Sequence, residues 1–133
     1  MSYYAKMLER ISADPLQKAA YDTEDSTVVI AGPGSGKTTI LTLKIMKLLN
    51  NHITEPQGLA CLTFSKEAAR EFEDRLKKLG YVERRNVFLG TVHSFCISEI
   101  LSNFAELYDY GVTLPIKVLP EKLEKQIYNS VLK

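Results

Sequence analysis

The sequence predicts an α/β fold in which helices flank a parallel β-sheet. Three strand-like apolar runs occur along the 133-residue chain, each is followed by a segment of helical periodicity, and the runs are apolar throughout rather than alternating. Strands of this kind are typical of parallel sheets that helices cover on both faces. Because right-handed crossovers bring all strand-to-helix loops to one edge of such a sheet, we expect the functional residues at that edge.

The composition is that of a single soluble globular domain. Hydrophobic residues make up 45% and charged residues 25%, which argues against a disordered chain and against a disulfide scaffold. The formal net charge of +1 gives no support by itself for nucleic-acid binding. We expect no membrane-spanning segment and no secretory signal. Cys61 and Cys96 lie in apolar segments and are predicted to be reduced, buried thiols of a cytoplasmic protein.

A helix is predicted to begin near residue 14. Asp14 is suited to cap it, Pro15 to occupy its first position, and Gln17 follows the cap by three residues. On the residues alone, Gln17 either completes a capping box with the Asp14 N–H or faces a ligand.

The first strand-then-helix unit is led by a β-branched run from Ser26 to Ile30, predicted to be a strand. A glycine-rich loop follows, and after it apolar residues recur at steps of three and four, which indicates a helix. These apolar residues are Ile40, Leu41, Ile45, Leu48 and Leu49.

Two further units repeat this order. A strand at residues 59–64 precedes a helix that Ser65 caps and Gly80 ends, with Ala68, Ala69, Phe72, Leu76 and Leu79 on one face. A strand at residues 87–92 precedes a helix carrying Ile97, Ile100, Leu101, Phe104 and Leu107. An extended piece at residues 115–120 and a charged helix from Glu121 to Leu132 follow.

The segment from Ala31 to Thr38, Ala-Gly-Pro-Gly-Ser-Gly-Lys-Thr, is predicted to be a phosphate-binding loop rather than a merely structural glycine-rich turn, because it lies between a predicted strand and a predicted helix. Its glycines allow backbone N–H groups to converge on phosphate oxygens, and the helix directs its positive dipole end toward them. Lys37 is expected to reach the β- and γ-phosphates of ATP, and the Thr38 hydroxyl to bind Mg²⁺, which makes these two the candidate catalytic residues. The candidate nucleotide-binding residues are Gln17, Gly32, Pro33, Gly34, Ser35, Gly36, Lys37, Thr38 and Thr39.

Hydrolysis by such a site also needs a carboxylate at the end of a second apolar strand. No apolar run ends in Asp-Glu, since Glu24-Asp25 lies in a polar loop and Glu73-Asp74 lies within a helix. No arginine able to meet the γ-phosphate is identifiable either, and the basic residues of the second helix alternate with acidic ones, as on a solvated face. The chain is therefore expected to hold half of a catalytic site.

Three segments together resemble the N-terminal motor lobe of UvrD/Rep-type superfamily 1 DNA helicases. Residues 14–20 and 31–39 are similar to the family's adenine-reading glutamine motif and its phosphate loop. Residues 62–71 (LTFSKEAARE) are similar to its first single-strand-binding motif, and residues 90–96 (GTVHSFC) to its next DNA-contact motif. The order and spacing match from about residue 10 to the end.

The resemblance implies a P-loop NTPase fold, as a truncated single RecA-like lobe, with residues 1–114 forming part of the ATP-binding lobe and residues 115–133 starting an inserted helical subdomain. It implies that Gln17 reads the adenine edge and that Thr63, Phe64, Ser65, Thr91 and His93 contact DNA. The family's usual Thr-Asn-Lys stretch is replaced here by Ser65-Lys66-Glu67.

The function expected on this basis is ATP-dependent unwinding of DNA, in the 3′-to-5′ direction, by stepping on single strands. ATP and Mg²⁺ are the implied cofactors, and the implied partners are single-stranded or partly duplex DNA and the remaining helicase lobes. Such motors serve DNA repair, plasmid replication and phage defence. The alternatives are a small P-loop phosphotransferase and a non-catalytic nucleotide-binding adaptor.

Overall fold

The structure, a computed structural model, describes residues 2–131. In chain order its elements are α1 (Tyr3–Ser12), α2 (Pro15–Asp22), α3 (Lys37–Asn51), β1 (Leu59–Thr63), α4 (Lys66–Lys78), β2 (Val87–Thr91), α5 (Val92–Phe95), a π-helical segment (Cys96–Leu101), α6 (Ser102–Phe104) and α7 (Glu121–Val131). None of the helices in this range has both the length and the apolar character needed to cross a membrane.

The first two helices, α1 and α2, form a short hairpin, and a side chain caps the start of each helix. Sequence analysis did not predict α1, which begins where the Ser2 hydroxyl accepts a hydrogen bond from the Ala5 N–H at 3.1 Å. The predicted start of α2 is confirmed: Asp14 Oδ1 accepts from the N–H groups of Leu16 and Gln17 at 2.9 and 3.3 Å. Both caps satisfy donors that a helix leaves unpaired at its first turn.

Helix α4 also begins and ends where predicted. The Ser65 hydroxyl accepts from the Ala68 N–H at 3.1 Å, and Gly80 adopts a φ of +97° just beyond the last turn. The N–H groups of Gly80 and Tyr81 then donate to the carbonyls of Lys77 and Leu76, each at 3.0 Å. This pair of bonds is the Schellman arrangement that a left-handed glycine makes possible.

The sheet is parallel, as predicted, and has two strands among the described residues. β1 pairs with β2 in a register that runs from Leu59 opposite Val87 to Thr63 opposite Thr91. The two strands therefore end side by side at one edge, and the segments that follow them leave from that edge.

The predicted strand from Ser26 to Ile30 is wrong for this structure. The segment forms no strand, and Val28 and Ile30 are 85% and 94% exposed. β-branched residues favour extended backbone, but a strand also needs a neighbour to receive its hydrogen bonds. Within residues 2–131 no strand pairs with this segment.

The core lies on one side of the sheet. Residues of α3 and α4 form a buried cluster with Tyr81, against which Leu59, Cys61, Val87 and Leu89 pack. The opposite side of β1 carries Ala60 and Leu62, both exposed. The expected burial of both sheet faces is therefore wrong here, because α3 and α4 contribute to the same cluster.

The hairpin of α1 and α2 packs against α3 through a second buried cluster of Ile11, Tyr21, Ile40 and Leu43. Lys44 adds hydrogen bonds between α3 and α2, because its Nζ donates to the carbonyl oxygens of Ala20 and Thr23 at the end of α2. Burial lowers the pKa of the Lys44 ammonium group. These contacts hold α2 beside the start of α3.

The helical stretch after β2 is interrupted. Between α5 and α6 it widens into a π-helix, in which the Ser102 N–H donates to the Ile97 carbonyl, and Leu107 lies beyond its end. The prediction of helix through Leu107 is therefore wrong. The predicted last helix is confirmed as α7 up to Val131, and Leu132 lies outside the described residues.

The chain divides into two compact units between Val92 and His93. The division expected at 114/115 stays a prediction.

Candidate functional site

The glycine-rich loop adopts backbone angles that favour glycine at two positions. Gly34 and Gly36 have φ values of +74° and +82°, in the left-handed region. Gly36 is also the residue that precedes α3, and no side chain caps this helix end. The N–H groups of the first turn are thus left for a ligand, and the positive end of the helix dipole lies beside them.

Lys37 closes the loop. Its Nζ donates to the carbonyl oxygens of Ala31 and Gly32 at 2.5 and 2.6 Å. The Ser35 hydroxyl donates to the same Gly32 oxygen at 2.7 Å. The ammonium group of Lys37 therefore lies over the loop that precedes its helix, within reach of an anion bound there.

Gln17 of α2 lies against the other side of the loop. Its Nε2 donates to the Ser35 carbonyl at 3.3 Å, and its amide carbon lies 3.9 Å from where a Cβ on Gly36 would be. The bond back to Asp14 that a capping box requires is not formed, because the Asp14 N–H donates to Ile11 instead.

An open cleft of about 460 Å³ adjoins the loop and gathers most of the predicted nucleotide-binding residues. It is lined by Gln17, by the loop and the start of α3 from Gly34 to Thr39, and by Arg10, Ile11 and Arg75. Gly32 and Pro33 belong to the exposed outer part of the loop and are not among these lining residues.

Sequence analysis found no arginine for this site, whereas the structure brings Arg10 and Arg75 to the cleft. Arg75 donates from Nε and Nη2 to Glu71 Oε1 at 3.1 and 2.7 Å, so its guanidinium is held in place. The place of Arg75 beside the core could have been predicted from the sequence, because it follows the buried Phe72 by three residues and so borders the apolar face of α4. Arg10 had no such signal, since α1 itself was not predicted.

Thr38 suits a Mg²⁺ site only in part. It lies in the first turn of α3 and lines the cleft next to Lys37, where its hydroxyl could join phosphate oxygens around the ion. The residues described as lining the cleft include no carboxylate. Among the lining residues the oxygen donors are therefore neutral side chains, and Thr38 is the one that directly follows Lys37.

Four residues predicted to contact DNA lie at the sheet edge where β1 and β2 end, namely Thr63, Phe64, Ser65 and Thr91. Thr63 and Thr91 are register partners, and the Thr63 hydroxyl donates to the Ser65 carbonyl at 3.0 Å. Thr91 is buried, with 7% of its surface exposed. Ser65 already caps α4 with its side chain.

Phe64 differs sharply from these neighbours. It directly follows β1 and is 98% exposed, so its ring packs on almost nothing. An aromatic ring in this state at a sheet edge is suited to stack on a base. His93 is exposed and is the first residue of the second unit.

Comparison with known proteins gives concordant matches. Residues 13–130 match the family model described as the UvrD/REP helicase N-terminal domain. The chain is 32% identical over 116 residues to the ATP-dependent DNA helicase PcrA of Staphylococcus aureus (strain Mu50 / ATCC 700699), covering 87% of this chain and 16% of that protein. It is 32% identical over 106 residues to the ATP-dependent DNA helicase SRS2 of Saccharomyces cerevisiae (strain ATCC 204508 / S288c), covering 77% of this chain and 9% of that protein. The aligned part thus spans a sixth or less of each of these two relatives.

Proposed function

Because the chain belongs to the UvrD/REP helicase N-terminal domain family, we propose that it is the ATP-binding part of the first RecA-like motor lobe of an ATP-dependent DNA helicase. The observation that carries this proposal is the cleft in which Gln17, the glycine-rich loop and Lys37 lie together at an uncapped helix start. Convergent backbone donors, a lysine and a helix dipole are the elements that bind a triphosphate.

In this proposal the loop amides and Lys37 hold the phosphates. The Lys37 ammonium would exchange its bonds to the Ala31 and Gly32 carbonyls for bonds to phosphate oxygens. Mg²⁺, when bound, would neutralise phosphate charge, and Thr38 is the residue of this chain that would hold it. Gln17 would use its carboxamide to read the adenine edge.

DNA would bind at the sheet edge. Phe64 would stack on bases of a single strand, and Thr63, Ser65 and Thr91 would contact the strand nearby. His93 of the second unit is proposed as a DNA contact on the family resemblance alone. In the intact motor, ATP binding and hydrolysis would close and open the cleft between two lobes, and DNA would be held and released in step with that cycle. The 3′-to-5′ direction is part of the proposal and derives from the family resemblance.

The exposed segment from Ser26 to Ile30 is suited to pair with a further strand. Its β-branched residues are exposed, and an apolar groove of about 520 Å³ lined by Val29, Leu41, Cys61 and Leu62, among others, lies beside β1. In a protein of the relatives' length, we propose that further strands fill this groove and convert the segment into a strand.

Isothermal calorimetry with Mg·ATP tests the nucleotide site. The chain should bind ATP weakly, and Lys37→Ala should weaken binding by about tenfold or more, since a charge-assisted bond to phosphate is lost. Lys6→Ala is the matched control, because Lys6 is an exposed lysine of α1 outside the cleft lining. Absence of binding by the unaltered chain, or equal binding by Lys37→Ala, would reject the proposal.

Phosphate release separates the helicase fragment from a phosphotransferase. With no carboxylate among the described lining residues, the chain alone should hydrolyse almost no ATP, with or without single-stranded DNA. DNA-independent phosphate transfer to a small acceptor would instead favour the phosphotransferase.

A further inference from the structure

Arg10 is a cation of the cleft that no recognised motif accounts for. It lies in the last turn of α1, one residue before Ile11, whose side chain is 2% exposed and anchors that turn in the core. The Arg10 side chain is exposed and lines the same cleft as Gln17 and the glycine-rich loop. A rigid helix end therefore carries a guanidinium group to the nucleotide site.

The two arginines of the cleft differ in what holds them. Arg75 on α4 is tied to Glu71 by two hydrogen bonds. Within residues 2–131, the side chain of Arg10 makes no hydrogen bond or ion pair with another residue. Its five N–H donors and its flat face are thus free to engage a ligand, and such a group can bond to ring nitrogens and hydroxyls or stack on a base.

The position of Arg10 indicates which end of a nucleotide it would meet. The phosphates have their partners in the loop amides, in Lys37 and in the start of α3. Arg10, Ile11 and Gln17 line the cleft from the α1–α2 hairpin rather than from the loop or α3. A base or ribose extending from the loop toward this hairpin would meet the hydrogen-bonding side chains of Arg10 and Gln17.

We propose that Arg10 binds the nucleoside end of the bound nucleotide, through its base or ribose, beside Gln17. This inference rests on the proposed function, because it takes the cleft to be a nucleotide site. A basic residue in the last turn of a helix is also favoured by the helix dipole, so the test must separate ligand binding from a contribution to helix stability.

The experiment compares two ligands, Mg·ATP and Mg·tripolyphosphate, by calorimetry on the 133-residue chain. Arg10→Gln should weaken ATP binding by about fivefold or more and change tripolyphosphate binding by less than about twofold. Arg10→Lys should also weaken ATP binding, since it keeps the charge but loses the planar fork. Lys6→Gln, which removes a charge from the same helix outside the cleft, should change neither ligand's affinity.

The outcomes are distinct. Unchanged ATP affinity in Arg10→Gln, or equal weakening of both ligands, overturns the role of Arg10 while leaving the nucleotide site intact. If the unaltered chain binds neither ligand, the proposed function fails and this inference fails with it. A loss of ATP binding in Lys6→Gln equal to that in Arg10→Gln shows a general effect of charge or helix stability and also overturns the proposal.

Discussion

The side chain of Gln17 donates a hydrogen bond from Nε2 to the backbone carbonyl of Ser35 at 3.3 Å. This bond joins α2 to the glycine-rich loop across 18 positions of the sequence. The carboxamide keeps its oxygen and its second N–H hydrogen for another partner. Gln17 can therefore support the loop and present one acceptor and one donor to a base at the same time.

Replacing Gln17 should affect which base is bound more than whether phosphate is bound. Gln17→Ala should weaken ATP binding by about tenfold and bring the affinities for ATP and GTP close together, because the acceptor and donor that distinguish adenine are lost. Competition of unlabelled ATP and GTP against a fluorescent ATP analogue measures this. Lys18→Ala, at the next and exposed position of α2, is the control. An unaltered preference in Gln17→Ala would show that the residue only supports the loop.

Removing the Phe64 ring should reduce DNA binding without loss of stability. Stacking on an aromatic ring contributes about 1–3 kcal/mol per base, so Phe64→Ala should weaken binding of a labelled oligo-dT strand by about 5- to 160-fold. The thermal midpoint should hardly change, because the ring is 98% exposed.

Val82→Ala is the matched control for Phe64→Ala, since Val82 is also largely exposed, at 75%, and belongs to the same unit. Fluorescence anisotropy of the strand and circular-dichroism melting of each variant provide the two readings. Equal DNA affinity in Phe64→Ala and the unaltered chain would remove Phe64 from the proposed DNA site.

A side chain at position 90 should destabilise the sheet. A Cβ on Gly90 would lie 2.9 Å from two ring carbons of Phe88, too close for van der Waals contact. Because the half-buried Phe88 ring must shift to make room, Gly90→Ala should lower the free energy of unfolding by about 1 kcal/mol. In the Phe88→Ala background the same change should cost much less, because the ring is gone. Urea titration of the four proteins tests this, and additive costs would contradict it.

Because burial raises the pKa of the Cys61 thiol, we expect the free energy of unfolding to decrease as the pH rises into the alkaline range. Burial raises the pKa of the Cys61 thiol from 9.0 to about 11. The unfolded chain loses this proton first as the pH rises, so the contribution of the neutral thiol is complete below about pH 9 and is lost toward about pH 11.

The urea midpoint at pH 8 and at pH 10.5 tests this dependence. Cys61→Ala should lose part of the difference that the unaltered chain shows between these two conditions, since one group that titrates in this interval is removed. Lysine and tyrosine side chains titrate in both proteins and cancel in the comparison. An identical pH dependence in both would mean that Cys61 is accessible to water in the folded protein.

The features that the sequence predicted correctly depend on residues close together along the chain. The Asp14 and Ser65 caps, the Gly80 stop and the uncapped helix after Gly36 each involve a few neighbouring residues. The parallel pairing of β1 with β2 followed from the helix between them, because a helical crossover returns the chain in the same direction.

Two errors were local, namely helix α1, which was not predicted, and the helix predicted through Leu107. The others concern groups that are distant in sequence. Ser26 to Ile30 has the composition of a strand and is not one, because strand formation depends on a partner that the local sequence does not specify. Arg10 and Arg75 are 65 positions apart, and only the packing of the helices on one another brings both to the cleft beside Gln17. The sequence by itself determined the loop, the capped starts of α2 and α4, the end of α4 and the strand direction, since short-range hydrogen bonds and backbone angles set these. The tertiary structure decided which side chains share the cleft and which strands find a neighbour, since those relations arise only when distant segments pack together.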